Sequence, residues 1–315
     1  VTGVRLAGLA GRRPSRLVTN EDLAAGGLDT DDEWIRSRSG IRTRGLAGPG
    51  ESVSRLSCDA AAKALASSGI EGSTVGLTIV ATTTHPTSIP GTSASVAASY
   101  GSRGGAVDLG AACAGFSYAL GLAADSIRAG SVQTAVVVGV DRMGDVVDWT
   151  DRGTCVLFAD GAGAVVLTAD AERNDVSLPV WGSDGDQGHV IGQHKDTGFI
   201  HMDGPAVYRW ATTAMAPIAR AACERAGIEP GELAAFVPHQ ANLRIIDSLV
   251  RALGLDESST VVARDVVTAG NTSAASIPLA LSALHEAGQI TPGGHVLLVG
   301  FGAGLSWSAQ VVRLP

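Results

Sequence analysis

A cysteine thiol can attack a thioester, and a histidine and an asparagine beside it can donate hydrogen bonds to the oxyanion or enolate that such chemistry creates. This chain sets one residue of each type in a suggestive context. Cys113 lies in Asp108-Leu-Gly-Ala-Ala-Cys-Ala-Gly-Phe-Ser117, where a strand end passes through small residues into a helical pattern running to about Arg128. A thiol at a helix N-terminus faces unpaired N–H groups and the positive end of the helix dipole, which favour the thiolate and predict a lowered pKa. Small neighbours allow a sharp turn and the close approach of a thioester. His239 lies in Val237-Pro-His-Gln-Ala-Asn242, directly after a buried strand and before the amphipathic helix Arg244 to Leu253. Strand ends of α/β sheets are where functional side chains collect. Asn271 lies in Ala269-Gly-Asn-Thr-Ser-Ala274. Each has a plainer reading taken alone: a free cysteine is often a small buried apolar residue, a histidine a satisfied structural group, and Gly-Asn ordinary turn chemistry. The combination is what points to thioester chemistry.

An internal duplication predicts how the three meet. Ala64 to Val80 (ALASSGIEGSTVGLTIV) lies over Ala222 to Pro238 (ACERAGIEPGELAAFVP), both reading helix, Gly-Ile-Glu, turn, buried strand, with Gly69 on Gly227 at an offset of 158. Carried forward, that offset lands Cys113 on Asn271, each before a small-residue-rich helical pattern. The strands that follow, Ala135 to Val140 (AVVVGV) and Val296 to Phe301 (VLLVGF), are short continuous apolar runs of the kind buried on both faces. Here Gly139 meets Gly300 at an offset of 161, which extra turn residues around Thr291-Pro292-Gly293-Gly294 can supply. Each half closes on a glycine-interrupted strand, Gly161 to Thr168 and Gly302 to Leu314. Alternating strands and helices predict an α/β fold in five layers, αβαβα, built from an N-terminal half over 1–170 and a C-terminal half over 171–315. Equivalent loops then meet at the pseudo-twofold axis, so Cys113 and Asn271 are expected to face one cavity.

The totals agree with a large packed core. The chain has 315 residues, 45% hydrophobic and only 17% charged, with few aromatics, which suits close-packed helices on buried sheets and argues against disorder. A formal charge of −8 argues against a nucleic-acid binder, while a local basic surface remains open. Arg36, Arg38, Arg42 and Arg44 could form one, or could simply be a solvated face. The four cysteines Cys58, Cys113, Cys155 and Cys223 show neither CxxC spacing nor a metal pattern, so a reduced, cytoplasmic chain is expected. No run has the length of a membrane span or the build of a signal peptide.

With these residues in view, the chain resembles β-ketoacyl-acyl carrier protein synthase III of the thiolase superfamily. The resemblance rests on ACAGF around Cys113, PHQANLRII around His239, GNTSAASIP around Asn271 and GFGAGLSW near the C-terminus. DEWIRSRSGIRTR, DRGTCVLFADGAGAVV and the MDG at Met202 to Gly204 extend it over nearly the whole chain, in order. It implies a thiolase-like fold, a homodimer, and no redox cofactor or metal. The activity it implies is the start of fatty-acid or polyketide chains by decarboxylative condensation of an acyl-CoA primer with malonyl-acyl carrier protein.

Carried over motif by motif, the resemblance makes Cys113 the acyl acceptor, and makes His239 and Asn271 the groups that bind the malonyl thioester carbonyl and steady its enolate. Backbone N–H groups of Cys113 and of the Gly302-Ala303-Gly304 turn form the implied oxyanion hole, Ala303 standing where many relatives have glycine. Trp34 is implied against the CoA adenine with Arg38 and Arg152 near its phosphates, a sensible pairing of an aromatic platform with cations. Alternatively Trp34 only packs, and Arg152 pairs with Asp148 or Asp151. Asn242 is implied at the pantetheine arm and Arg244 at the carrier protein. Ile89, Met202 and Phe301 are implied at the acyl pocket, Ile89 from across the dimer. Three rivals remain: an acyltransferase to a hydroxyl or amine, a non-catalytic partner subunit, and a cysteine hydrolase. The presence of Cys113 with both His239 and Asn271 favours condensation.

Overall fold

The computed structural model describes residues 2–87 and 89–315. The N-terminal elements are β1 (Gly3–Arg12), β2 (Arg16–Thr19), α1 (Asn20–Ala25), α2 (Asp32–Ser39), β3 (Thr43–Leu46), α3 (Val53–Ser68), β4 (Leu77–Ala81), α4 (Ser93–Ser99), β5 (Gly105–Leu109), α5 (Gly115–Arg128), β6 (Thr134–Arg142) and β7 (Asp160–Asp170). The C-terminal elements are β8 (Val180–Ser183), β9 (Ile191–Gln193), β10 (Ile200–Met202), α6 (Gly204–Ala226), β11 (Ala235–Pro238), α7 (Leu243–Leu253), β12 (Val261–Val262), α8 (Val266–Ala269), α9 (Ser276–Glu286), β13 (His295–Gly302) and β14 (Ser306–Arg313). Two five-stranded sheets result, ordered β1-β7-β6-β4-β5 and β12-β11-β13-β14-β8. Within each, the central strands pair in parallel and the closing glycine-rich strand returns antiparallel.

Five layers follow from which faces are apolar. Helix α3 covers the outer face of the first sheet through Leu56, Ala60, Ala64 and Leu65, and α6 with α7 covers the outer face of the second. Between the sheets lie α5 and α9, whose Phe116, Leu120, Ile127, Ile277 and Leu281 share one core with inward residues of both sheets. Burying a side chain of that kind contributes roughly 1.5–3 kcal/mol. The middle helices are rich in Ala and Gly because two sheets press on them: a Cβ at Gly121 would stand 3.0 Å from Pro179 and 3.3 Å from Trp181. Among the described residues, no helix is long and apolar enough to cross a membrane.

The duplication is present, with a register that corrects one expectation. Helix α3 and β4 match α6 and β11 at the offset of 158, down to left-handed Gly69 and Gly227 at the helix ends. Beyond that point the offset is 161, because β6 begins at Thr134 and β13 at His295, and α5 begins at Gly115 and α9 at Ser276. The 3₁₀ turns before those helices, Ala112–Ala114 and Ser273–Ala275, obey the same offset, and each opens on a non-glycine residue with positive φ, Ala112 at 47° and Ser273 at 50°. Cys113 is therefore the counterpart of Ala274, and Asn271 sits three residues earlier in its loop. The physical reason is the short helix α8, which lies between β12 and the second turn and has no counterpart before the first.

Candidate active site

The first turn and the loop before the second open onto one cavity of about 450 Å3 lined by Cys113, His239, Asn271, Phe301 and Gly302, with Phe158, Met202 and Leu305 beside them. Cys113 is held at the start of α5, its Sγ 3.4 Å from the Ser273 hydroxyl. Asn271 is fixed from both sides, its N–H donating to Leu157 O and its carbonyl accepting from Ala159 N. Its Oδ1 accepts from Ser273 N at 2.9 Å, which leaves the side-chain NH2 as the group free to donate toward the cavity. His239 follows β11, its N–H donating to Val299 O, and its ring meets the edge of Phe301 with centroids 5.2 Å apart. Nδ1 of His239 lies 2.7 Å from the Ser276 hydroxyl at the head of α9. That hydroxyl oxygen also accepts from Gln240 N at 3.4 Å, so its own proton is available to Nδ1. With Ser276 as the donor to Nδ1, the imidazole proton sits on Nε2 and gives the cavity a second N–H donor.

Electrostatics alter one expectation. Burial pushes the Cys113 thiol up to about 12, the Ser273 hydroxyl pulls the other way, and the Asp141 carboxylate raises it again. The expected depression at a helix terminus is outweighed because the sulfur is closed off from water. Burial also pushes His239 down to about 3, so the imidazole is neutral at physiological pH and acts as a donor without charge. Among the described residues, no group of three or more His, Cys, Asp or Glu side chains is placed to hold a metal ion.

The cavity mouth is cationic although the chain is acidic. Trp34 stands there between two guanidinium groups, Arg38 at 4.4 Å and Arg152 at 5.0 Å from its ring, and Arg244 lies 5.2 Å from the Tyr208 ring. Arg152 pairs with Asp29 at 3.1 Å, and with neither Asp148 nor Asp151. Asn242 lines the mouth as well, but both ends of its amide are engaged. Its Oδ1 caps α7 by accepting from Arg244 N at 2.9 Å, and its Nδ2 donates to Arg38 O at 3.1 Å. Ala303 lies just outside the lining, on the turn after Gly302. Ile89 is 89% exposed and away from the cavity of its own chain, and its neighbour Ser88 lies outside the described residues.

The arginine run is not one solvated face. Arg44 is fully buried behind the site, donating to Val18 O, Thr19 O, Asn20 Oδ1 and Val156 O, and burial lowers it only to about 10, so it stays charged. Sequence reading also passed over Ser273, Ser276, Tyr208 and Arg209, all at or against the site. The two serines were visible inside GNTSAASIP, but their hydroxyls acquire partners only when the halves meet. Arg209 and Tyr208 carry no signal in a 23-residue helix until its N-terminal turn is seen at the mouth.

Comparison with known proteins bears on this geometry. Residues 107–185 match the family model described as 3-oxoacyl-[acyl-carrier-protein (ACP)] synthase III, and residues 223–314 match its C-terminal model. The chain is 53% identical to "Beta-ketoacyl-[acyl-carrier-protein] synthase III 4" of Streptomyces coelicolor, over 99% of each chain. It is 42% identical to "Mycobacterial beta-ketoacyl-[acyl-carrier-protein] synthase III" of Mycobacterium marinum, over 100% of this chain and 97% of that one. Among solved structures, the priming β-ketosynthase from the R1128 polyketide biosynthetic pathway superposes with a TM-score of 0.95 at 40% identity, over 99% of this chain and 96% of that one.

Proposed function

This chain belongs to the 3-oxoacyl-[acyl-carrier-protein] synthase III family, and from that membership we propose how its own residues carry the reaction. It is a condensing enzyme of the transferase class that starts chains by joining an acyl primer to malonyl-acyl carrier protein. Cys113 Sγ attacks the carbonyl of an acyl-CoA, the bond from that carbonyl to the CoA sulfur breaks, and CoA leaves with the proton the thiol gave up. Malonyl-acyl carrier protein then presents its thioester carbonyl to His239 Nε2–H and the Asn271 amide. Loss of carbon dioxide leaves an electron pair on the α-carbon, delocalised onto the oxygen those donors hold. The carbon attacks the acyl-cysteine carbonyl, the Cys113 thiolate departs, and uptake of one proton restores the thiol. Two fixed neutral donors suit this step because they stabilise charge only as it appears on oxygen. The Cys113 and Ala303 N–H groups form the oxyanion hole for acyl transfer. Trp34 and Arg38, with Arg152, receive the nucleotide end of CoA, Asn242 borders its pantetheine arm, and Arg244 receives the carrier. Met202 and Phe301 bound the primer, with Ile89 reaching in from a second copy.

The observation that carries this reading is that Cys113, His239 and Asn271, 158 residues apart at the extremes, line a single cavity with the amide and imidazole donors set by their own hydrogen bonds. In a mass assay with acyl-CoA, Cys113→Ala is expected to lose the acyl adduct entirely. His239→Ala and Asn271→Ala should keep the adduct while carbon dioxide release from malonyl-acyl carrier protein falls about 10²-fold or more, the scale of one lost oxyanion donor. An adduct on Cys113→Ala, or wild-type decarboxylation in both other variants, would overturn it.

A further inference from the structure

The duplication brings two backbone N–H groups to equivalent places at the pseudo-axis, Cys113 N in one half and Ala274 N in the other. Each faces a strand of the opposite half. Across from Ala274 stands Asp141 near the end of β6, and across from Cys113 stands its counterpart at the offset of 161, Gly302 at the end of β13. The two places are treated oppositely. Asp141, fully buried, accepts from Ala274 N through Oδ2 at 3.0 Å. At Gly302 there is no side chain, and a Cβ built there would stand 2.8 Å from Cys113 Cβ, 3.2 Å from Cys113 N and 3.3 Å from its Sγ. Cys113 N meets only its own sulfur, and among the described residues no other residue is seen to accept from it. One N–H is thus capped by a carboxylate from the opposite half, and its twin has no such cap.

The other oxygen of Asp141 is equally committed. Oδ1 gathers Thr83 N at 2.8 Å, Thr84 N at 3.1 Å and the hydroxyls of Thr82, Thr83 and Thr84 at 3.0 Å each. Those threonines continue β4, the strand next to β6 in the first sheet. A single buried carboxylate therefore ties the first sheet to the turn that carries Asn271 and Ser273. Anchoring the head of the 3₁₀ turn fixes where Ser273 N meets Asn271 Oδ1, and hence where the Asn271 amide points.

We propose that Asp141 is a positioning residue for the decarboxylation step: it fills the second half's copy of the oxyanion site and locks the Asn271 turn, while Gly302 keeps the first half's copy open for the substrate oxygen. A carboxylate suits this place because both its oxygens only accept. An asparagine would have to turn its NH2 toward one set of donors.

The inference rests on the roles given above to Cys113 and Asn271, so the experiment separates the two half-reactions. Asp141→Asn and Asp141→Ala are compared with wild type for acylation by acyl-CoA and for carbon dioxide release from malonyl-acyl carrier protein, with thermal unfolding as the folding control. The rate of decarboxylation itself should fall several-fold in Asp141→Asn and about tenfold or more in Asp141→Ala, as expected for an uncompensated buried donor beside the site, whereas acylation should hold or rise because the carboxylate that raises the Cys113 thiol is gone. Gly302→Ala should act the other way, losing acylation first. A folded Asp141→Asn that decarboxylates at the wild-type rate overturns the proposal, and this variant decides alone should Asp141→Ala not fold. Failure of the catalytic assignment itself shows separately, as an acyl adduct on Cys113→Ala.

Discussion

Burial moves three thiols of this chain the same way, Cys113 to about 12 and Cys155 and Cys223 to about 11, so acidity does not single out the nucleophile. Position does: of these three, only Cys113 lines the cavity. The same argument applies to His239, whose usefulness lies in remaining neutral. Its folded pKa, about 3, is below the ordinary 6.5, so the unfolded chain binds a proton between those values that the folded chain does not. Folding stability from this group is therefore full above pH 6.5 and declines as pH falls toward 3. Decarboxylation should show no titration near pH 6.5 arising from His239. In a 15N-histidine spectrum of the folded enzyme at pH 7, His239 should be neutral with its proton on Nε2, the form that a donating Ser276 selects. Ser276→Ala should weaken that preference and slow decarboxylation several-fold, the scale of one buried hydrogen bond, while acylation of Cys113 is retained. A proton found on Nδ1 in wild type would show that Ser276 accepts rather than donates.

At the scale of elements, the sequence made the repeated unit legible where its physics is local. Helix, left-handed glycine and buried strand recur as Gly69 and Gly227 because each has a pattern of its own. The offset of 161 was legible at Gly139 and Gly300, but its origin was hidden: α8 is a four-residue helix with no periodicity to read, and its insertion ahead of the second turn sets Cys113 on Ala274. Arg44 was hidden for a related reason: its four oxygen partners come from β2, α1 and the segment before β7, and no local window contains them. Helix α7 was plain, with alternating buried Ile245, Ile246, Leu249, Val250 and Leu253 between an asparagine cap and a glycine stop. Its first turn exposes Arg244 beside Arg209 at the mouth, and neither makes an ion pair among the described residues. Two unpaired cations there suit an acidic carrier. Arg244→Glu should lower kcat/KM for malonyl-acyl carrier protein several-fold, with the loss shrinking as salt rises. Acylation by acyl-CoA should change much less. Equal losses with malonyl-CoA as a surrogate second substrate would assign Arg244 to the tunnel instead of the docking surface.

At the scale of the whole molecule, one edge of the first sheet is left open. Strand β5 pairs only with β4, and its outer side exposes Val107 to 48%. It leads into α5, which exposes Leu122 and packs on Pro179 and Trp181; Trp181 itself stacks on Tyr118 with centroids 5.5 Å apart and remains 41% exposed. Leu178 and Ile89 add to the exposed apolar side chains. An open edge with large apolar neighbours is the arrangement that native proteins cover. In the dimer proposed here, a second copy pairing along β5 would cover it and would bring Ile89 toward the partner's primer site. Val107→Asp sets a charge on that edge without touching the cavity, and Trp181→Asp tests the adjoining surface independently. Light scattering should find wild type as two chains and each variant shifted toward one. Given a mixed acyl-CoA panel, the dissociated variant should lose primer discrimination, whereas Ile89→Ala should alter the preferred acyl length only in the dimer. A single-chain variant with unchanged primer choice would remove Ile89 from the acyl pocket. A wild type that is already a single chain at micromolar concentration would remove the dimer.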